Sequence, residues 1–163
     1  MDDNDILFTG SSTFTDIPLF ANLPQEVREW MAGYFARYQA AVGTTIFAQK
    51  TPAEYFYLLL AGEVLVRFKP YDGEELTIAR IQPGSVFGWS AALGNPLYTA
   101  SAISTGDCQM LRMRGDDLRR MCRDNPETGA QVLELLAKAA GERITDAKTQ
   151  IFALLEYGVC NSA

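Results

Sequence analysis

The sequence predicts a mainly β domain, a sandwich or barrel of short strands with helices on either side. Between residues 44 and 114, short apolar runs alternate with turn signals such as Pro70-Tyr71-Asp72-Gly73, Pro83-Gly84 and Thr105-Gly106-Asp107. Before and after this region, apolar side chains instead recur at helical spacing. With 163 residues and 48% hydrophobic content, the chain is long enough for one domain with a buried core.

The N-terminal part is predicted to contain a flexible segment and one helix. Residues 1–15 are polar and rich in Ser and Thr, as is typical of a mobile terminus. The helix is predicted to begin near Pro24, because proline is tolerated in a first helical turn, and to run to about Tyr38. The apolar side chains that recur along it at helical spacing are Val27, Trp30, Met31, Tyr34 and Phe35.

Six strands are predicted for the central part. Together with the helix before them and a short helix after them, they make a β-barrel domain over residues 16–125. Each is a short apolar run bounded by Gly, Pro, Asn or Asp. The predicted strands are Thr44–Gln49, Tyr55–Leu60, Val64–Lys69, Leu76–Ile81, Tyr98–Ser104 and Cys108–Met113.

Two helices are predicted to follow, a short one over Asp116–Cys122 and a long one over residues 126–157, with residues 158–163 as a tail. The long helix carries apolar residues in alternating steps of four and three, which is the pattern of a coiled-coil seam. The seam predicts a homodimer, and an amphipathic helix packed only on its own barrel remains the alternative. The predicted dimer-interface residues are Leu133, Ala137, Ala140, Ile144, Ala147, Ile151 and Leu154.

Composition excludes several classes of function. The chain has no histidine, so Ser-His-Asp and Cys-His catalysis and His-ligated metal sites are not expected. A formal net charge of −6 gives no general attraction to nucleic acid, and none is expected to bind. No apolar run approaches the roughly 20 residues that span a membrane. Three scattered cysteines, Cys108, Cys122 and Cys160, together with an acidic N-terminus, indicate a cytoplasmic protein.

The order of these elements and four motifs resemble the cyclic nucleotide-binding domain of the catabolite activator-type (CRP/FNR-like) regulators. The resemblance covers about residues 17–157. It implies a double-stranded β-helix, a jelly-roll barrel of cupin-like shape, with an N-terminal helix and a long C-terminal helix. The motifs are Pro18–Pro24, Tyr55–Val64, the opening of a phosphate-binding cassette at Gly84–Gly88, and Asn125-Pro126 after the short helix.

In this family the cassette implies a specific chemistry. Backbone amides of a short helix after the Phe-Gly pair face a cyclic phosphate, an arginine on the next strand pairs with its charge, and a glutamate accepts from the ribose. Here Trp89 stands at the glutamate position, and Tyr98, or Leu97 in a register shifted by one, stands at the arginine position. The candidate ligand-binding residues are Phe87, Gly88, Trp89, Ser90, Ala91, Tyr98, Thr99, Ala100 and Thr145.

These two replacements predict an altered or lost affinity for cyclic nucleotides. A charge-assisted hydrogen bond contributes about 1.5–3 kcal/mol, so losing both partners costs about three orders of magnitude in affinity. Arg67 and Arg80 lie on predicted strands and are the candidate replacement cations, although a solvent-facing position is the default for each. No cofactor is implied other than a cyclic nucleotide or another small ligand.

The sequence therefore predicts a non-enzymatic, dimeric, ligand-sensing regulatory module. One alternative is a structural or partner-binding dimer domain whose pocket is filled by Trp89 and Tyr98. Another is the sensor half of a transcription regulator that continues beyond residue 163 into a helix-turn-helix. A metal-dependent cupin enzyme shares the barrel shape, but its site normally needs histidines.

Overall fold

The computed structural model describes residues 6–7 and 20–136, which form two antiparallel sheets that face each other, with helices packed on the outside of one of them. The mainly β fold with flanking helices predicted from the sequence is confirmed. The strands of the described residues are β1 Ile6–Leu7, β2 Ala36–Ala40, β3 Thr45–Phe47, β4 Tyr55–Ala61, β5 Val64–Phe68, β6 Leu76–Ile81, β7 Val86–Phe87, β8 Ser101–Ser104 and β9 Cys108–Arg114.

The first sheet has the strand order β1-β2-β9-β4-β7, and the second has the order β3-β8-β5-β6. One row of paired residues crosses the whole first sheet, because Ala36 pairs with Leu7 and Arg112, Arg112 pairs with Tyr57, and Tyr57 pairs with Phe87. Residues paired in this way point to the same face of a sheet. Arg112, Tyr57 and Phe87 therefore lie side by side on one face.

Four helices are present in the described part of the chain. They are α1 Gln25–Ala32, α2 Trp89–Ala92, α3 Gly115–Asp124 and α4, which is helical over residues 126–136. The short α2 follows β7 directly, at the position predicted for the cassette helix. The predicted remainder of the long helix, beyond residue 136, lies outside the described residues.

The first sheet separates two apolar cores. Its outer face packs against the helices, in a cluster that includes Phe56, Leu111, Met31 and Leu118. Its inner face meets the second sheet, in a cluster that includes Tyr57, Leu59, Phe87 and Met110 from the first sheet and Val64 and Ala102 from the second. Because successive side chains along β4 and β9 point to opposite faces of the sheet, these two strands contribute residues to both cores.

The predicted first helix is too long. The structure ends α1 at Ala32, and Ala36–Ala40 forms strand β2. All five residues of β2 pair with β9, so this tertiary pairing overrides the local helical spacing. Phe35 lies in the segment that connects α1 to β2, and its side chain is buried in the outer core. The prediction also missed β1 and β7, and it placed Tyr98–Ala100 in a strand that begins only at Ser101.

Candidate ligand-binding site

The turn between β7 and α2 is set by Gly88. Its φ of 81° lies in the left-handed region that glycine adopts without strain. A Cβ at this position would lie 3.1 Å from the Tyr55 carbonyl oxygen and 3.2 Å from the Phe56 Cα. Gly88 is therefore required for close approach of the chain to β4, and not only for the approach of a ligand.

Helix α3 packs closely against helix α2 and holds it in place. The Arg119 guanidinium donates from Nη1 to the Ala91 carbonyl oxygen at 2.9 Å and also pairs with Asp116. At the start of α3, Gly115 lies so close to α2 that a Cβ there would be 2.0 Å from the same Ala91 oxygen. The cassette helix is only four residues long, and these contacts fix its position against α3.

The Trp89 side chain does not enter the barrel. It is half-buried and packs against the outer core, and its indole N–H donates to the Val86 carbonyl oxygen at 3.2 Å. The residue at the glutamate position of the family thus contributes to the packing between the sheet and the helices. The Trp89 side chain has no group that could accept a hydrogen bond from a ribose hydroxyl.

Tyr98, at the arginine position, points into the barrel. Its exposed fraction is only 5%, and its ring stacks on Phe47 with centroids 3.9 Å apart and planes 12° from parallel. Its hydroxyl accepts from the Tyr55 backbone N–H at 3.1 Å and donates to the Tyr55 carbonyl oxygen at 2.5 Å. The side chain is therefore held by stacking on one side and by the backbone of β4 on the other.

Four aromatic rings form a continuous stack in this part of the barrel. Tyr57 stacks on Phe87 with a centroid distance of 5.1 Å, and Phe47 lies 5.7 Å from Tyr57 and 6.1 Å from Phe87. Together with the contact between Phe47 and Tyr98, these pairs place aromatic surface directly beside the cassette. Stacked pairs of this kind contribute about 0.5–1.5 kcal/mol each beyond their burial.

A buried cation lies beside this stack. Arg112 on β9 has an exposed fraction of 5%, and its guanidinium carbon lies 4.1 Å from the centroid of the Tyr55 ring and 4.7 Å from that of Tyr38. Since an arginine stays charged in a protein, burial of its charge has to be compensated. Each cation–π contact in a desolvated place contributes about 2 kcal/mol.

The phenols near Arg112 stay protonated. Burial raises the pKa of Tyr57 well above its ordinary value and Tyr98 adds to the rise, whereas the charge of Arg112 acts in the opposite direction. Burial also raises the pKa of Tyr98, while its hydrogen bond to the Tyr55 backbone acts in the opposite direction. Both hydroxyls are therefore neutral hydrogen-bond donors and acceptors at physiological pH.

The two candidate cations named from the sequence are both paired with carboxylates, and the Nε of Arg67 is buried without a hydrogen-bond partner. Arg80 is exposed and pairs with Glu63 at 3.1 Å, while Arg67 lies 3.6 Å from the carboxylate of Glu75. Leu97, the alternative arginine position, is 45% exposed and belongs to an isolated bridge with Pro52. Leu97 is therefore about half exposed, and its replacement would not remove a residue from either apolar core.

The structure brings most of the predicted binding residues into one region and leaves others out of it. Phe87, Ser90, Ala91 and Ala100 are buried near the cassette, and Thr99 is exposed. Thr145 lies outside the described residues. Of the predicted dimer seam, Leu133 is described and is 45% exposed, and the rest lies outside the described residues, namely Ala137, Ala140, Ile144, Ala147, Ile151 and Leu154.

Sequence reasoning missed Arg112 and Tyr57. A signal for Arg112 was present, because Cys108, Met110 and Arg112 alternate along one strand and so share its inner face. Within the described residues, no group of His, Cys, Asp and Glu side chains has the arrangement of a metal site. Among the described helices, none has the length and apolar character needed to cross a membrane.

Comparison with known proteins identifies the family. A family model described as Cyclic nucleotide-binding domain matches residues 38–125, which is more than half of the chain. The cyclic AMP receptor protein of Thermus thermophilus is 30% identical over 125 residues, which are 77% of this chain and 58% of that protein. This chain therefore spans less than two thirds of the length of that curated relative.

Solved structures agree with this result and confirm the jelly-roll barrel. A putative cyclic nucleotide-binding protein from Geobacter metallireducens has a TM-score of 0.71 at 25% identity, covering 83% of this chain and 98% of that chain. The catabolite activator protein of Thermus thermophilus has a TM-score of 0.66 at 28% identity, covering 84% and 62%. By its family match, its barrel and its cassette, the chain belongs to the cyclic nucleotide-binding domain family, and its relatives include regulators of the catabolite activator type.

Proposed function

We propose that the protein is a dimeric, ligand-sensing regulatory domain whose affinity for cyclic AMP and cyclic GMP is much lower than that of relatives with a complete cassette. The observation that carries this proposal is the position of Tyr98. Where relatives of this type have an arginine for the phosphate, this chain has a phenol held by Phe47 and by the backbone of Tyr55. Trp89, at the glutamate position, packs outward.

Titration calorimetry with cyclic AMP, cyclic GMP and cyclic di-GMP tests the proposal. The expected result is a heat signal only at ligand concentrations about three orders of magnitude above those that a complete cassette needs, because two charge-assisted partners are replaced. The cyclic AMP receptor protein of Thermus thermophilus serves as the reference, titrated under the same conditions. An affinity equal to that of the reference would contradict the proposal.

A second candidate function is favoured by the aromatic stack. If Tyr98, Phe47, Tyr57 and Phe87 keep the interior filled, the domain serves as a structural or partner-binding module without a small ligand. The absence of both heat and thermal stabilisation with all three cyclic nucleotides would favour this candidate over the first. A small molecule that copurifies with the protein would exclude it.

We propose further that the protein is a homodimer through the helix predicted over residues 126–157. On α4, Val132 and Leu136 are buried in the outer core while Leu133 is 45% exposed. The first residue of the predicted seam thus lies on a different face from the residues that attach α4 to the barrel. A second copy of the same helix is the occupant that its heptad spacing fits.

Exchanging Ile144→Lys and Ile151→Lys together is expected to convert the dimer into a monomer, because two charges would be buried in an apolar seam. Sedimentation velocity of the purified protein measures the mass before and after the change. The control is Gln131→Lys, which adds a charge to an exposed position of α4 outside the predicted seam. A wild-type protein that sediments as a monomer would overturn the dimer proposal.

We assign no enzymatic reaction and no nucleic-acid contact to these residues, and we place the protein in the cytoplasm. The absence of histidine and a net charge of −6 support the first two assignments. The reducing environment that scattered cysteines indicate supports the third.

A further inference from the structure

The phenol of Tyr98 occupies a slot that is formed by the ring of Phe47 and the backbone of Tyr55. Tyr98 itself lies in neither sheet, in the segment between α2 and β8. Phe47 covers one face of its ring, with centroids 3.9 Å apart. The Tyr55 N–H donates to the hydroxyl oxygen, and the hydroxyl donates to the Tyr55 carbonyl oxygen. The slot thus offers a flat apolar surface, one hydrogen-bond donor and one acceptor.

These three features select a neutral aromatic hydroxyl. A phenol accepts from the N–H and donates to the carbonyl oxygen of Tyr55, whereas a phenolate has no proton to donate. An aromatic ring without a hydroxyl would cover these two backbone groups and leave them unpaired, which is unfavourable. An aliphatic alcohol would satisfy both groups but would not stack on Phe47. Each feature of the slot therefore excludes a different class of molecule.

The backbone at position 98 is held independently of the side chain. The Tyr98 N–H donates to the Thr51 carbonyl oxygen at 3.0 Å, and the Tyr98 carbonyl oxygen accepts from the Lys50 N–H at 2.9 Å. The Ala53 N–H donates to the Pro96 carbonyl oxygen at 3.0 Å. Lys50 makes its bond with a φ of 68°, a conformation that lysine rarely adopts. Removal of the Tyr98 side chain would therefore leave the main chain beside the slot in place.

We propose that this slot is a binding site for neutral phenols, which Tyr98 occupies as a tethered ligand and which a soluble aromatic molecule with a hydroxyl group occupies when it displaces Tyr98. A tethered competitor acts at a high effective concentration. Tyr98 therefore sets the concentration of soluble phenol at which the intact protein responds. This inference rests on the proposed ligand-sensing function and names the class of the ligand.

The probe is p-cresol, which is the tyrosine side chain as a free molecule, and the readout is thermal stabilisation of the full chain. Tyr98→Ala is expected to melt below the wild type and to be stabilised by p-cresol at concentrations about tenfold lower than the wild type requires, or lower still. Toluene, which lacks the hydroxyl, is expected to bind this variant about tenfold to a hundredfold more weakly, because two hydrogen bonds are lost. Cyclohexanol, which lacks the flat ring, is also expected to bind more weakly than p-cresol.

The matched control is Tyr71→Ala, which removes the same side chain from a position that is 94% exposed. This control is expected to respond to p-cresol as the wild type does. Equal stabilisation of Tyr98→Ala by p-cresol and by toluene would overturn the inference, and so would equal stabilisation of Tyr98→Ala and Tyr71→Ala by p-cresol.

Tyr98→Phe provides a second measurement if Tyr98→Ala does not fold, because it keeps the ring and removes only the hydroxyl. Hydrogen exchange of the Tyr55 amide is expected to be faster in this variant than in the wild type, since the amide loses its acceptor. An unchanged exchange rate would overturn the inference.

Titration of the wild type with cyclic nucleotides separates this inference from the proposed function. If the wild type binds cyclic AMP weakly while Tyr98→Ala shows no response to p-cresol, the phenol site is overturned and the ligand-sensing function stands. If the wild type responds to neither p-cresol nor any cyclic nucleotide, both are overturned.

Discussion

Leu97→Arg is expected to raise the affinity of the domain for cyclic AMP about tenfold to a hundredfold, since a guanidinium–phosphate pair contributes about 1.5–3 kcal/mol. Position 97 is the better place for the new arginine, because Leu97 is 45% exposed and can be replaced without a loss of core packing. At position 98 the same change would remove the ring that stacks on Phe47. Titration calorimetry with cyclic AMP, and with adenosine for comparison, measures the effect.

The control for this change is Leu93→Arg. Leu93 follows α2 directly and is also exposed, so the variant adds the same charge near the cassette but at a different position. A gain of affinity in both variants would mean that added positive charge near the cassette raises the affinity through the electrostatic potential, and not through a specific pair with the phosphate. A gain in neither would contradict the view that the missing cation limits binding at the cassette.

Gly115→Ala is expected to destabilise the protein by about 3 kcal/mol, the upper range for inserting a methyl group into a packed core. The new Cβ would lie 2.0 Å from the Ala91 oxygen and 2.7 Å from its carbonyl carbon, and both are backbone atoms that cannot rotate away. Either α3 or the cassette helix must move. For a domain of this size, the melting temperature is expected to fall by roughly 6–12 °C in differential scanning calorimetry.

Gly106→Ala is the matched control. A Cβ on Gly106 meets nothing within 4 Å, and its φ is outside the left-handed region, so the variant is expected to melt within about 2 °C of the wild type. A Gly115→Ala protein as stable as this control would show that α2 and α3 are not in fixed contact. The expected loss in Gly115→Ala would be accompanied by weaker binding of any ligand at the cassette.

Most of the barrel was predictable because turn chemistry is local. Strand β6 has the predicted bounds of Leu76–Ile81, next to the turn at Pro70–Gly73. The first helix was predicted to be too long because Tyr34 and Phe35 fit a helical spacing as well as they fit a connection into β2. Only pairing with β9, which is about 70 residues away along the chain, decides between the two.

The candidate site was predictable in its location and not in its chemistry. The cassette and its two replacements were predicted from the residues that match the family motif, and the structure adds where the side chains of Trp89 and Tyr98 lie. The position of Arg112 between the rings of Tyr38 and Tyr55 depends on β2 and β4, which lie on either side of its strand. Such a constellation is set by strand order, which a single sequence does not reveal.

The hydroxyl of Tyr98 also has a consequence for solubility. Beyond the end of β7, strand β4 would present the N–H and C=O of Tyr55 as an open edge, and open edges recruit strands from other molecules. One phenol satisfies both groups at a place where no strand of residues 20–136 continues the sheet. We therefore expect that loss of the Tyr98 hydroxyl would expose these two groups to pairing with a strand of another molecule.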